Sequence, residues 1–176
     1  MNKRGLRNLG KRLRKFGKAG NYYDFIKNEE FYKRAKVVLI YKSLPNEAPT
    51  DELIKCVMAE KAVAVPVMVG DDLKASLIDD ATAFNKGGFS VDEPSEIKDI
   101  NKEEIDLFIV PGVLFDKTGA RLGYGKGFFD RFLTTRCKVG LAFSSQVIER
   151  FPTDEHDIYM DYILTEKGLV KVEKIT

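Results

Sequence analysis

Apolar residues in this chain fall in short unbroken blocks separated by charged stretches. KVVLIY at residues 36–41, AVAVPVMV at residues 62–69, DLFIV at residues 106–110 and CKVGLAF at residues 137–143 are largely continuous rather than alternating. That is the pattern of strands buried on both faces of a parallel sheet. A more polar strand over residues 73–78 follows a Gly-Asp-Asp turn, and a last strand pair is expected at residues 161–165 and 169–172. Between the strands the spacing becomes helical. Leu6, Leu9, Leu13 and Phe16 recur at intervals of three, four and three, which predicts a basic helix over residues 3–18 that docks through an apolar stripe. A second helix is expected over residues 21–33, and a third running from an N-cap at Thr50 to about residue 60. Further helical segments are expected near residues 128–136 and 144–150. Strand and helix alternate, so the expected fold is α/β: a Rossmann-like three-layer sandwich, with a mainly parallel sheet, helices on both faces and ligands at the carboxyl ends of the strands. No repeat, low-complexity tract or linker divides the chain, so one domain over residues 1–176 is expected.

Composition narrows the class. A chain of 176 residues, 44% hydrophobic and 32% charged, can bury roughly 70% of its unfolded surface, which argues against intrinsic disorder. No apolar run approaches the ~18 residues that a membrane span needs. With no secretory leader pattern, and with two cysteines (Cys56 and Cys137) that form no CxxC, a soluble protein of the reducing cytoplasm is expected. His156 is the only histidine, which excludes histidine-based zinc sites and leaves oxygen ligands for any metal. The net charge of +2 is unevenly spread: residues 1–18 hold eight Lys or Arg and no acid, while the remainder holds 21 basic against 27 acidic residues. A cationic arm on an acidic body attracts polyanions. The arm lacks Ser and Thr, as does everything before Ser43, unlike a mitochondrial transit peptide.

The chemistry concentrates in DLFIVPGVLFDKTGARLGYGKGFFDRFL, residues 106–133. A buried strand ends at Pro111-Gly112, a DKTG turn follows, and Arg121, Gly123, Gly125, Lys126 and Gly127 then lead into a helix start. Alternate glycines let backbone N–H groups approach an anion, and Arg121 and Lys126 supply full charges. The string is not a Walker A loop, because Gly127 follows Lys126 and Ala120 replaces the earlier glycine; nor is it GxGxxG, because Phe128 stands at the third glycine. Judged by residue type alone, it is equally a plain glycine turn or a phosphate cradle. By the same measure Glu47 is a solvated loop acid, Asp130-Arg131 a helix-surface pair, and Lys3 with Arg7 a cationic helix face.

The full PGxxFDxxGxRLGxGxGxxD pattern closely resembles the signature of the 5-formyltetrahydrofolate cyclo-ligase (5,10-methenyltetrahydrofolate synthetase) family. KRGLR at residues 3–7 resembles its ATP-binding KxxLR, and YKSLPNEAPT its first strand and substrate loop. FSVDEPSE resembles its GxxEP loop, while GLAFSSQ and EHDIYMDYILTEKG, with Asp157 and Asp161, resemble its C-terminal signature. Two departures stand out: Phe128-Phe129 replaces Tyr-Tyr, and the stretch before the first strand is short. The resemblance implies ATP binding by Lys3, Arg7, Arg121, Leu122, Gly123, Tyr124, Gly125, Lys126, Gly127, Phe128 and Phe129. It implies folate binding by Glu47, Tyr124, Gly125, Lys126, Gly127 and Phe128, and Mg²⁺ binding by Asp130 and Asp161.

The implied reaction converts 5-formyltetrahydrofolate and ATP into 5,10-methenyltetrahydrofolate, ADP and phosphate. The formyl oxygen is phosphorylated and an anilino nitrogen of the same folate then closes the ring. Because the substrate supplies its own nucleophile, the chain needs no catalytic triad, and no GxSxG elbow accompanies His156. Lys126, assisted by Arg121, is the expected stabiliser of the transferring phosphoryl group. Another ATP-dependent ligase or kinase uses the same kind of cradle, and an RNA-binding module uses the same kind of arm. No RNP1 or KH-type motif occurs, so folate and ATP, without nucleic acid or membrane, are the expected partners.

Overall fold

A computed structural model describes residues 1–173. In chain order the elements are α1 (Lys3–Leu13), α2 (Tyr22–Ile26), α3 (Glu30–Arg34), β1 (Val37–Ile40), α4 (Asp51–Met58), β2 (Ala62–Val69) and β3 (Asp72–Ile78). Then follow β4 (Phe84–Lys86), β5 (Asp92–Pro94), β6 (Asp99–Ile100), β7 (Leu107–Val110), β8 (Leu114–Asp116), β9 (Arg121–Leu122) and α5 (Phe128–Phe132). The chain continues with β10 (Cys137–Leu141), β11 (Val147–Ile148), β12 (Tyr162–Thr165) and β13 (Gly168–Lys171). The main sheet has the order β13-β12-β10-β7-β1-β2-β3-β6. Its five central strands are parallel, and β13, β3 and β6 join antiparallel at the edges.

Continuous apolar runs are required because both faces are covered. Side chains alternate along a strand, so Val38, Ile40, Leu107 and Ile109 enter one core while Leu39, Phe108 and Val110 enter the other. Helices cover the first face, through Tyr22 and Ile26 of α2, Tyr32 of α3, and Leu53 and Val57 of α4. On the second face the expected helical layer is thinner. It is built from α5, through Phe132, and from Phe115 of a small sheet of order β11-β8-β9. Helix α1 lies on that small sheet, with Leu6 packed against Leu114, Ala120, Leu122 and Phe151. It comes so close that a Cβ on Gly10 would stand 2.4 Å from the Val113 carbonyl oxygen.

Four expectations change in the structure. The basic helix leaves α geometry after Leu13 for a 3₁₀ turn, Arg14–Phe16, whose tighter winding breaks the apolar stripe. Phe16 is thereby 75% exposed and Arg14 is buried. The segment 21–33 breaks into two helices at extended Glu29. Tyr32 lies six residues beyond Ile26, off the face a straight helix would bury, and the break turns it inward, where its hydroxyl donates to Glu60. Thr50 precedes α4 without capping it: its hydroxyl donates to the Tyr41 carbonyl at 2.7 Å and accepts from the Ser43 amide at 3.1 Å, closing the loop after β1. The helix expected near 144–150 is a 3₁₀ turn, Ser144–Gln146, followed by β11. Buried Gln146 donates to the carbonyls of Gly112 and Val113 there, and Val147 and Ile148 pair with β8.

Candidate active site

The carboxyl ends of β1, β2 and β7 open into a cavity of 340 Å³. Its floor and sides come from Tyr41, Lys42, Leu44 and Glu47 after β1, Pro66 and Met68 of β2, and Pro111 after β7. The glycine loop and the start of α5 form one wall, Lys3 and Arg7 of α1 close one end, and Gly88, Phe89, Val91 and Glu93 of the β4–β5 hairpin close another. Each residue singled out in the sequence lines this cavity except Asp161.

The glycine loop takes the shape that its glycines permit. Gly125 and Gly127 have φ of +106° and +71°, and a Cβ on Gly125 would lie 3.2 Å from the Arg7 guanidinium carbon. Arg7 Nε donates to the Gly123 carbonyl at 2.9 Å. Arg121 is buried: its Nε donates to the Pro111 carbonyl at 2.6 Å, its guanidinium carbon lies 5.0 Å from the Phe129 ring centroid, and its Nη1 stands 3.8 Å from Asp130 Oδ1. Desolvation lowers its pKa and the Asp130 charge offsets this only in part; a guanidinium stays cationic all the same. Lys126 is exposed, and its ammonium has no hydrogen bond or ion pair among the described residues. It is therefore available to an incoming anion. Because α5 spans only five residues, the loop's positive character rests on these side chains and its amides, with less from the helix dipole than the sequence suggests.

Glu47 is held from two sides. The Leu44 amide donates to Oε1 at 2.7 Å, the Tyr124 hydroxyl donates to Oε2 at 3.0 Å, and Arg14 Nη2 lies 4.0 Å away. Burial pushes the Glu47 carboxyl up, and the Leu44 amide, Tyr124, Arg14 and Arg121 pull it partly back. Burial and the neighbouring Glu47 charge push the Tyr124 hydroxyl up to about 12. Lys3 faces the cavity but is ion-paired with Asp154 and, at 3.3 Å, Asp157. Phe89 of the hairpin reaches across to Phe128, the ring centroids 5.8 Å apart.

The structure does not bring Asp161 to this place. It precedes β12 at the amino end of the parallel strands, where the Lys138 amide donates to its Oδ2 at 2.9 Å and Lys138 Nζ lies 3.7 Å off. Among the described residues no three His, Cys, Asp or Glu side chains are grouped to hold a metal. Asp130 is the candidate carboxylate on the phosphate side of the wall. Sequence reasoning missed Arg14 behind the cavity. Its signal was the seven-residue interval from Arg7, two helical turns on the same face.

The sequence pattern of the 5-formyltetrahydrofolate cyclo-ligase family matches residues 7–166. The chain belongs to that family. It is 30% identical to a mouse 5-formyltetrahydrofolate cyclo-ligase, covering 77% of this chain and 75% of the mouse protein. It is 33% identical to a Haemophilus influenzae 5-formyltetrahydrofolate cyclo-ligase, over 75% and 76% of the two chains. The solved structure of Aquifex aeolicus 5,10-methenyltetrahydrofolate synthetase superposes with a TM-score of 0.75 at 32% identity, covering 100% of this chain and 87% of that one. A Mycoplasma pneumoniae 5,10-methenyltetrahydrofolate synthetase superposes at 0.65 and 25% identity, over 94% and 99%. The matched residues 7–166 take in the small sheet and α1 from Arg7 onward.

Proposed function

We propose that the protein joins the formyl carbon of 5-formyltetrahydrofolate to the anilino nitrogen of the same molecule, yielding 5,10-methenyltetrahydrofolate while ATP becomes ADP and phosphate. The observation that carries this reading is the Tyr124–Glu47 hydrogen bond. A residue inside the glycine loop is tied to the carboxylate of the loop after β1, so the two candidate ligand surfaces meet in one cavity. A plain nucleotide site needs no such second loop.

The chain's own residues then have separable tasks. The loop amides, Arg7 and Arg121 orient the triphosphate, and Lys126 meets the γ-phosphoryl group as the formyl oxygen attacks it and ADP leaves. The anilino nitrogen next attacks the activated carbon and releases its proton, and phosphate departs with the former formyl oxygen. Glu47, Tyr124, Phe128 and Phe89 hold the folate so that nitrogen and carbon stay within reach, which supplies the rate through positioning. Mg²⁺ neutralises phosphate charge when bound. Asp130 on the cavity wall is the carboxylate that would hold it together with the ATP phosphates, whereas Asp161 faces Lys138. No helix among the described residues is long and apolar enough to cross a membrane, and the free thiols of Cys56 and Cys137 support a reducing, cytoplasmic site of action. Purified protein given 5-formyltetrahydrofolate should produce the absorbance of methenyltetrahydrofolate only when ATP is added. Product formed equally without ATP, or ADP formed without product, contradicts the reading.

A further inference from the structure

Arg14 touches no cavity space, yet it is the cation buried behind the point where the two loops join. The residue is only 6% exposed, and Nη2 donates both to the Tyr124 hydroxyl at 2.6 Å and to the Gly112 carbonyl at 3.3 Å. Its Nε and Nη1 are buried without a hydrogen-bond partner. A stably buried guanidinium is normally satisfied by carboxylates or carbonyls, so an arginine left incompletely bonded here is maintained for something other than stability.

The donor inventory fixes the direction of the contacts. A guanidinium only donates, so the Tyr124 hydroxyl must accept from Arg14 and has its one proton to give to Glu47. The other Glu47 oxygen already accepts from the Leu44 amide. Both carboxylate oxygens therefore accept from the protein, an arrangement that favours the ionised form. We infer that Arg14 is a positioning residue for the folate side of the cavity, holding the Tyr124 hydroxyl toward Glu47 and keeping Glu47 an ionised acceptor for substrate N–H groups. Arg7, two turns earlier on α1, grips the adjacent residue Gly123. One helix thus fixes consecutive loop residues, with Arg7 on the nucleotide side and Arg14 on the folate side.

The charged and titratable groups that act on Glu47 include Arg14 at the end of α1, Arg121 of β9, Tyr124 of the glycine loop and Tyr41 just after β1, and Lys3, Arg7, Lys42 and Glu93 line the same cavity. Burial raises the Glu47 pKa and Arg14 is among the groups that lower it. Losing the Arg14 cation removes one of the groups that hold the carboxyl down and so moves it further up. In Arg14→Met, Glu47 should hence be protonated over a wider acidic range, and folate binding should recover as the pH rises through the new, higher pKa.

This inference rests on the cyclo-ligase reading, and the test separates the two. Michaelis constants for 5-formyltetrahydrofolate and for ATP are measured from pH 5.5 to 8.5 in wild type, Arg14→Met, Arg14→Lys and Tyr124→Phe. The expected result is a folate constant raised several-fold at pH 6 in Arg14→Met, an acid limb displaced upward, and an ATP constant changed less than about twofold. Arg14→Lys should restore most of the acid limb because it keeps the charge. Tyr124→Phe should shift the limb the same way, so the inference stays testable if Arg14→Met does not fold. An acid limb unmoved in every soluble variant, or equal pH-independent losses for both ligands, overturns the role of Arg14. Wild type that forms no methenyl product overturns the reaction itself.

Discussion

Removing the Lys126 ammonium should separate catalysis from folding. Its side chain is exposed and makes no hydrogen bond or ion pair among the described residues, so Lys126→Ala deletes nothing that the folded chain uses. Such surface substitutions change stability by about 0.5 kcal/mol or less. The transition state is a different matter. Each fixed donor aimed at developing charge contributes roughly 10²- to 10³-fold in rate, or about 2.7–4 kcal/mol. Arg121, held by the Pro111 carbonyl and near Asp130, cannot swing out to replace it. Thermal unfolding should therefore give a midpoint within about 2 °C of wild type, while kcat at saturating ATP and folate falls at least about 100-fold. The folate Michaelis constant should change little, because Glu47 and Tyr124 are untouched. A kcat within about threefold of wild type would remove Lys126 from phosphoryl transfer and leave the loop amides and Arg121 as the stabilising groups.

Asp130→Asn should raise the Mg²⁺ concentration needed for half-maximal rate, whereas Asp161→Asn should leave it unchanged, since Asp161 is engaged by Lys138 outside the cavity; a Mg²⁺ titration of both variants decides the point. Asp116→Ala should lower stability by about 3 kcal/mol or more in a denaturant titration. Fully buried Asp116 accepts from the Thr118 amide and hydroxyl, the Ala120 amide and the Phe151 amide, and truncation leaves those donors unsatisfied; a loss below about 1 kcal/mol would contradict this. Deleting residues 1–8 removes the Arg7–Gly123 contact and should raise the ATP Michaelis constant several-fold, which an ATP titration of the truncated protein measures.

The parallel core was readable in the sequence because burial on both faces leaves runs with no polar alternation, and β2 begins and ends where its apolar run does. Helix ends were less readable. At Thr50 the side chain serves the preceding loop rather than its own helix, and the Gln146 amide accepts from Phe143 of its own turn while donating to the distant Gly112 and Val113 carbonyls; nothing local distinguishes these uses. The glycine loop was legible because glycine spacing reflects backbone conformation, and Gly125 and Gly127 do adopt positive φ. Arg14 was hidden for the opposite reason. Among eight basic residues in the first 18 charge alone marks them all as solvated, and its seven-residue interval from Arg7 is shared by exposed Arg4 and Lys11. Asp161 was assigned to Mg²⁺ by resemblance alone, although the start of a strand in a parallel sheet lies at the amino end, away from the ligand side, where Lys138 holds it.

The central claim is that one cavity transfers phosphate to the folate's own formyl oxygen, and the fate of that oxygen tests it most directly. Folate carrying heavy oxygen in the formyl group is incubated with the protein and unlabelled ATP, and the inorganic phosphate is analysed by mass. The account predicts one heavy oxygen in phosphate for each methenyltetrahydrofolate formed. It also predicts little ATP cleavage without folate, because water in the open cavity is not held for attack. Phosphate free of label alongside methenyl product would mean that ATP acts at another group, and the joining of the glycine loop and the Glu47 loop would then have no part in the chemistry.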